Sequence, residues 1–297
     1  MRRLLVLLPA LVAAAAAGAT TTAPTVVARI PVSAPLQPCA TAAGGGFIWV
    51  SGYGAPYLLK IDPRRNRVVS RTPIGYGSCG LGYGAGSLWI EDTNSNTVSR
   101  VSARTGKRIA AVKVGFTPYD ATFASGAAWA TANGGGDVER IDPARNRVVK
   151  RFPLPSATGL VGAFGSIWAA GSSGVIRIDP VTNTIAATIP LPAAGWTAAS
   201  ADAVWITTPT GVARIDPTTN AIVTTVPLGG PLGDPDVIAG RVWVPQIRRN
   251  RIAMVDPATN TVTGYVKTGT GPFVVTQIAG EAWVPSWKGK EIWRIRP

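Results

Sequence analysis

The sequence predicts an all-β protein, a seven-bladed β-propeller of four-stranded blades whose ring is closed by an N-terminal outer strand. Three observations lead to this fold class: a tryptophan that recurs about every forty residues, a turn motif that recurs at the same step, and one repeat unit split between the two ends of the chain. Four short strands per forty residues is the period of a propeller blade.

The tryptophan repeat has seven members, spaced 37 to 40 residues apart. Each lies in a short apolar run, such as Phe47–Val50. A large aromatic residue at one fixed position of every unit is expected to pack between neighbouring blades. The seven are Trp49, Trp89, Trp129, Trp168, Trp205, Trp243 and Trp283.

The turn motif is Asp-Pro-x-x-Asn, which ends the third strand of a unit. Aspartate accepts hydrogen bonds from nearby backbone N–H groups, proline presets φ, and asparagine tolerates the left-handed region. We therefore interpret these aspartates as turn formers, and the second unit departs from the motif with Ser102 and Gly106. The motifs begin at Asp62, Asp142, Asp179, Asp216 and Asp256.

The fourth strand of most units ends in a proline, which cannot donate a hydrogen bond to a ladder and so predicts an edge strand at the rim. The last unit has a third strand at 291–295 but no fourth strand, whereas residues 26–32 match residues 68–74 nearly position by position. We predict that this N-terminal segment completes the seventh blade of one domain spanning 20–297. The alternative, a solenoid, would need capping repeats instead of a split one.

The first 19 residues have the pattern of a signal peptide. Arg2 and Arg3 precede an apolar run at 4–17, and small residues follow at 17–19. The run has 14 residues, whereas a transmembrane anchor, the alternative, needs about 20. The sequence therefore predicts a secreted, extracytoplasmic protein with no transmembrane anchor after cleavage.

The two cysteines, Cys39 and Cys79, are 40 residues apart, which is one repeat. They therefore occupy equivalent positions on neighbouring blades, and we predict a disulfide between them, as is common in exported proteins. Two buried thiols or a redox pair are the alternatives.

Composition excludes several classes of chemistry. The chain has no histidine, which excludes the usual Ser-His-Asp and Cys-His centres, His-ligated zinc and His-ligated haem. Two cysteines cannot form a four-thiolate site, so we expect no metal and no cofactor. The net charge of +14 has three interpretations: a solvated surface, binding of a cell-wall or membrane polyanion, or binding of nucleic acid, which an exported protein rarely meets.

The Asp-Pro-x-Thr-Asn turns at 179–183 and 216–220, the Gly-x-x-Trp-Val strands at 46–50 and 240–244, and the Ile-Pro-Leu ending at 189–191 resemble the YVTN and virginiamycin B lyase-like β-propeller superfamily. The resemblance covers nearly all of the chain after the signal peptide. It implies that ligands bind at the channel mouth, on the face with the loops that lead into the inner strands, here called the upper face.

The upper-face loops contain the candidate ligand-binding residues. Trp196 and Trp287 do not follow the tryptophan period, so packing between blades does not account for them. Aromatic side chains with a few polar groups suit a small-ligand or glycan site, although they would also serve to plug the channel. The candidates are Tyr76, Tyr119, Asp120, Trp196, Asp234, Arg248, Phe273 and Trp287.

Three functions remain open. The first, which we favour, is a monomeric, non-catalytic module that binds a small molecule, a glycan or a protein at the upper face. The second is a lyase-like or glycan-acting enzyme that uses Asp120, Asp234 and Tyr119, although the family's lyase chemistry needs a histidine base that this chain lacks. The third is a non-specific binder of a polyanion such as wall polymer or, less favoured, DNA.

Overall fold

Residues 23–297 are described by the structure, a computed structural model, and they form seven four-stranded antiparallel sheets arranged in a ring. The predicted seven-bladed β-propeller is therefore confirmed. The predicted signal peptide, residues 1–19, lies outside the described residues. Within the described range, no helix is long and apolar enough to cross a membrane.

The strands are numbered in chain order and given blade by blade, from the inner to the outer strand. Blade 1 contains β2 (Gln37–Gly44), β3 (Phe47–Tyr53), β4 (Tyr57–Asp62) and β5 (Arg67–Pro73). Blade 2 contains β6 (Leu81–Gly84), β7 (Ser87–Asp92), β8 (Thr97–Ser102) and β9 (Arg108–Lys113). Blade 3 contains β10 (Pro118–Ala124), β11 (Ala127–Ala132), β12 (Asp137–Asp142) and β13 (Arg147–Pro153). Blade 4 contains β14 (Leu160–Ala163), β15 (Ser166–Gly171), β16 (Gly174–Asp179) and β17 (Thr184–Pro190).

The remaining blades follow the same order. Blade 5 contains β18 (Thr197–Ala199), β19 (Val204–Thr207), β20 (Gly211–Ile215) and β21 (Ile222–Pro227). Blade 6 contains β22 (Asp236–Ile238), β23 (Arg241–Gln246), β24 (Arg251–Asp256) and β25 (Thr261–Lys267), with a 3-10 helix (Ile247–Arg249) between β23 and β24. Blade 7 contains β26 (Thr276–Ile278), β27 (Glu281–Ser286), β28 (Glu291–Arg296) and β1 (Thr25–Pro31).

The second strand of each blade carries the periodic tryptophan. β7 and β11 are buried at every position, because the sheets cover one another on both faces around the ring. Each tryptophan is at most 1% exposed and packs against the following blade. Trp129, for example, clusters with Ile167 and Ala169 of blade 4. The prediction that these residues pack between blades is confirmed.

The N-terminal strand closes the ring, as the split repeat predicts. β1 pairs antiparallel with β28, with Thr25 opposite Arg296 and Pro31 opposite Glu291. The backbone N–H of Val32 also donates to the carbonyl of Lys290, at 2.9 Å. Ile30 is only 1% exposed and joins a hydrophobic cluster shared by blades 7 and 1, so closure includes side-chain packing as well as a ladder.

The Asp-Pro-x-x-Asn segments are turns on the lower face, the face opposite the loops that lead into the inner strands. In the turn of blade 4, the Asp179 carboxylate accepts the backbone N–H of Val181 at 2.7 Å, and Asn183 has a φ of 56°. These backbone hydrogen bonds lower the pKa of Asp179 because they favour its charged form. The interpretation of these aspartates as turn formers is confirmed.

An arginine two residues before the turn aspartate links adjacent blades, a role that the sequence analysis missed. The Arg177 guanidinium lies 5.0 Å from the ring of its own blade's Trp168 and donates to the Pro217 carbonyl and the Asn220 side chain of the next turn, at 2.6 and 3.2 Å. Arg294 makes the same contacts across the ring closure, to Pro63 and Asn66. An arginine that recurs two residues before the last position of the third strand was the available signal for these links, which also involve Arg100 and Arg140.

Candidate functional site

Five aromatic side chains surround the channel mouth on the upper face and are here called the aromatic arc. They come from blades 1, 3, 5 and 7, so the ring and not any single strand brings them together. Neighbouring ring centroids are 5.1 to 6.5 Å apart. The arc runs in the order Tyr53, Trp287, Phe273, Trp196, Tyr119.

Two cavities lie at this end of the channel. The aromatic cavity has a volume of about 280 Å³ and is lined by Cys39, Tyr53, Tyr119, Phe273 and Trp287. The channel cavity, of about 310 Å³, continues along the inner strands. Its lining includes Cys79, Asp120, Trp196, Thr197, Asp234 and Asp236.

The positions nine residues before each periodic tryptophan explain why the charged and aromatic residues meet. The inner strands share one register, seen where Thr122 lies opposite Trp129 and Asp236 lies opposite Trp243. These positions therefore stand at one level of the channel, and six of the seven line the channel cavity. They are Ala40, Gly80, Asp120, Gly159, Trp196, Asp234 and Val274.

Asp120 connects two blades while it lines the channel. Its carboxylate oxygens accept the backbone N–H groups of Ala121 and of Leu160 in the next blade, both at 2.8 Å. Burial raises the pKa of Asp120 to about 6, although these two hydrogen bonds oppose the shift.

Asp234 stands at the same level three blades away. Burial raises its pKa, and the charges of Asp120 and Asp236 raise it further. The structure thus brings the predicted Asp120–Asp234 pair to one cavity. It adds Asp236, the first residue of β22, which accepts the backbone N–H of Gln277 at 2.6 Å.

Glu91 is a buried carboxylate that sequence reasoning missed. It lies two residues after Trp89, where other blades have Ser51, Thr131 and Thr207, and it accepts the backbone N–H groups of Cys79 (3.0 Å) and Gly80. Its second carboxylate oxygen has no hydrogen-bond partner among the described residues. Burial, and then the charge of Asp120, raise the pKa of Glu91. A carboxylate at a position where three other blades have a hydroxyl group and the remaining three have alanine or proline was the signal.

The charge of Glu91 also affects the pKa of both tyrosines of the aromatic arc. Burial raises the pKa of Tyr119, and the charge of Glu91 raises it further. Burial also raises the pKa of Tyr53, with smaller effects from Tyr119 and Glu91. Tyr53, at the end of a tryptophan strand, is the second residue of the site that sequence reasoning missed.

The predicted disulfide is present. Cys39 and Cys79 are bonded, with a Cα–Cα distance of 5.2 Å. The bond joins blades 1 and 2 at the upper face, and it connects the lining of the aromatic cavity to that of the channel cavity.

The eight predicted ligand-binding residues divide into two groups. Six line the two cavities, whereas Tyr76, 54% exposed, and Arg248, exposed at the 3-10 helix, line neither. The six are Tyr119, Phe273 and Trp287 at the aromatic cavity, and Asp120, Trp196 and Asp234 at the channel cavity.

Positive charge is excluded from both cavities, since neither lining contains lysine or arginine. The clusters around Arg64 and Arg147 lie on lower-face turns and outer strands, and both residues are exposed. Across residues 23–297, no group of three or more metal-ligating side chains is arranged to hold a metal ion.

The comparisons with known proteins identify the fold. No protein-family model and no curated protein matches the sequence. Among solved structures, virginiamycin B lyase from Staphylococcus aureus is similar over 93% of this chain and 100% of its own, with a TM-score of 0.78 and 14% identity. A streptogramin B lyase is similar over 91% and 96%, with a TM-score of 0.77 and 17% identity.

BamB from Moraxella catarrhalis also shares the architecture, over 93% of this chain and 100% of its own, with a TM-score of 0.68 and 12% identity. The resemblance to a virginiamycin B lyase-like propeller is therefore confirmed for the fold. Identities at this level show the fold alone, because one propeller scaffold carries many unrelated activities.

Proposed function

We propose that this protein is an exported, non-catalytic β-propeller that binds a small ligand, or a small group of a larger partner, in the aromatic cavity. The observation that carries the proposal is the cavity itself: four aromatic side chains from three blades enclose about 280 Å³ at the channel mouth. Ligand sites are concave and mostly apolar with a few polar groups, which is the composition of this lining.

The aromatic arc is not needed by the repeat. None of its members is a periodic tryptophan, and Tyr53, Tyr119, Phe273 and Trp287 are only partly buried. The disulfide at the cavity and the sheets behind it hold the lining in place, so a ligand would bind without a large ordering cost. A rigid, partly exposed aromatic lining favours binding over a purely structural plug.

A neutral fluorescent probe tests the proposal. N-phenyl-1-naphthylamine brightens when it enters an apolar cavity, and we expect one saturable site in the intact protein. Phe273→Ala should weaken its binding at least tenfold, because the ring forms part of the lining. Tyr76→Ala is the matched control, since this exposed upper-face tyrosine lines neither cavity. Equal affinity of the probe for wild type and Phe273→Ala would show that the probe does not bind in the aromatic cavity.

Export is part of the proposal. The disulfide between Cys39 and Cys79 is compatible with an oxidising compartment, and residues 1–19 carry the signal-peptide pattern. Expression of the full chain with sequencing of the mature N-terminus tests this part. Cleavage near Ala19 with the protein outside the cytoplasm is expected, and a retained N-terminus would contradict it.

A second candidate function rests on the channel carboxylates. Asp120, with a pKa of about 6, and Asp234, whose pKa is also raised, are the kind of pair that can act as general base and general acid near neutral pH. Tyr119 directly precedes Asp120 in sequence and could orient a substrate. Turnover of p-nitrophenyl glycosides that is lost in folded Asp234→Asn would support catalysis, whereas unchanged turnover would exclude this pair.

The third hypothesis, polyanion binding, rests on the exposed arginines and lysines of the outer strands β5, β9 and β13. It requires affinity that falls steeply with ionic strength, because binding would release counterions. Elution from immobilised heparin tests it, and elution below about 0.2 M NaCl would favour a solvated surface.

A further inference from the structure

We infer that the aromatic cavity selects an organic cation: an ammonium group with small apolar substituents. This rests on the proposed function and deepens it by naming the ligand class. The inference combines three properties of the site: aromatic rings set at different angles around one cavity, carboxylates in the neighbouring channel cavity, and no basic residue in either lining.

The rings favour a cation because the face of an aromatic ring carries negative charge density. Tyr53 and Trp287 are inclined by 47°, and Phe273 and Trp287 by 63°. Rings inclined in this way surround the cavity from several directions instead of stacking in one plane. Such arrangements bind quaternary ammonium groups, since each ring attracts the cation and the substituents remain in apolar contact.

Carboxylates line the channel cavity at the same end of the ring, and none lines the aromatic cavity itself. Asp120 directly follows Tyr119, and the backbone N–H of Asp234 donates to the carbonyl of Phe273 at 2.7 Å. Glu91 is fully buried, its charge acts on both Tyr53 and Tyr119, and one of its oxygens has no partner in the described structure. A bound cation would provide the positive charge that these carboxylates lack.

Several acidic residues outside the channel have basic partners, whereas the buried Asp92 is held by the hydroxyl groups of Ser78 and Ser99. Glu139 pairs with Arg151, and Glu281 pairs with Arg294. The chain has 29 lysines and arginines against 15 acidic residues, yet none of the basic residues lines either cavity. This separation of charge opposes an anionic ligand and leaves the acidic groups of the channel cavity without a basic residue in either lining.

The size of the aromatic cavity limits the ligand. A volume of about 280 Å³ is at the lower end of ligand pockets, which span roughly 300–1,000 Å³. It suits a trimethylammonium group and a short extension, which leaves room for the rest of a larger molecule above the mouth.

A pair of isosteric probes tests the charge. Choline and 3,3-dimethylbutan-1-ol have the same shape, but the second replaces the charged nitrogen with carbon. We expect titration calorimetry at constant ionic strength to show choline binding at least tenfold more tightly to the full protein. Equal or tighter binding of the neutral alcohol, or no binding of choline up to 100-fold above the concentration that saturates the neutral naphthylamine probe, would overturn the inference.

Two variants locate the effect. Trp287→Leu removes one ring but keeps an apolar side chain, and Glu91→Gln removes the charge at nearly constant volume. Each should weaken choline binding several-fold, whereas Tyr265→Leu, on the distant outer strand β25, should not. Choline binding unchanged in both Trp287→Leu and Glu91→Gln would also overturn the inference. Phe273-dependent binding of the naphthylamine probe would then still support the proposed function, so the two can fail separately.

Discussion

The two faces of the ring use aspartate in opposite ways. On the lower face, backbone hydrogen bonds in the turns lower the pKa of Asp62, Asp179 and Asp216, and the Arg145 side chain followed by the Ala144 N–H lowers the pKa of Asp142. At the upper end of the channel, Asp120 is buried and Asp234 is half-buried, and desolvation raises the pKa of each. The lower-face groups stabilise the fold in their charged form, whereas the channel groups are held where charge is unfavourable.

The comparison extends beyond aspartate. The lower face repeats one device, an arginine that contacts a tryptophan and the next blade's turn, around most of the ring. At the upper face, the aromatic and acidic residues of the two cavity linings differ from blade to blade. Repetition marks the contacts that hold the ring, and departure from it marks the residues that are free to bind a ligand. Four predictions test this division.

The largest effect is expected from loss of ring closure. Deletion of residues 24–31 removes the strand that pairs with β28 and the buried Ile30. The exposed edge of β28 should then cause unfolding or oligomerisation, a loss on the order of the net stability of a domain, about 5–15 kcal/mol. Thermal melts and light scattering after gel filtration measure it. A truncated protein that stays monomeric and equally stable would contradict the closure.

Removal of one arginine link should have a smaller effect. Arg177→Met keeps the stem that covers Trp168 but leaves the Pro217 carbonyl and the Asn220 side chain without their donor. We expect a loss of about 1–3 kcal/mol in urea unfolding. Arg147→Met, at an exposed position of β13, is the control and should change stability by less than about 0.5 kcal/mol. Equal losses of unfolding free energy in Arg177→Met and Arg147→Met would contradict a stabilising role of the arginine link.

The pH dependence of stability should differ between aspartate variants of the channel and of the lower face. A group with a raised pKa contributes stability below its unfolded value, near 4, which is lost as pH rises through the folded value. Between pH 5 and pH 8, the melting temperature of the wild type should therefore fall by at least about 2 °C more than that of Asp234→Asn.

Asp216→Asn is the lower-face counterpart. The lowered pKa of Asp216 stabilises the fold above pH 4, and this contribution disappears as pH falls. The variant should therefore differ from wild type above pH 4 and converge with it in acid. Identical pH profiles for both variants would contradict the proposed contrast between the faces.

The smallest effect is expected at the aromatic arc. Trp287→Leu should change the unfolding free energy by less than about 1 kcal/mol, because the ring is partly exposed and lies outside the repeat. Trp283→Leu, four residues earlier and 1% exposed, should lose about 3 kcal/mol or more. Chemical denaturation measures both. A Trp287 variant as unstable as the Trp283 variant would show that the arc is structural.

The fold could be predicted because its signals repeat. The tryptophans, the Asp-Pro turns and the cysteine pair each recur at one period, so a single spacing fixes their neighbours. The arginine links were missed because Arg177 and Arg294 contact turns that lie 40 or more residues away in the chain. The repeat could have predicted these links, because the arginine recurs at the same position before the turn.

The site was only partly predictable. Tyr119 and Asp120 lie in the inner strand β10, and Trp196 and Asp234 lie in the loops that lead into β18 and β22, so the topology alone brings them to the channel. Tyr53 and Glu91 lie on tryptophan strands, where burial at nearly every position hides any functional signal. Their convergence depends on how far each side chain reaches across the ring, and no repeat encodes that distance.

The pairing of β1 with β28 also determines how the molecule can be tethered. Thr25 lies opposite Arg296, so the chain enters and leaves the ring at one corner of the lower face. Any anchor, tag or fused partner at either end would emerge there, and the aromatic cavity would face the other way. A surface to which the protein is attached by its ends would thus display the cavity outward, with its mouth open to the medium.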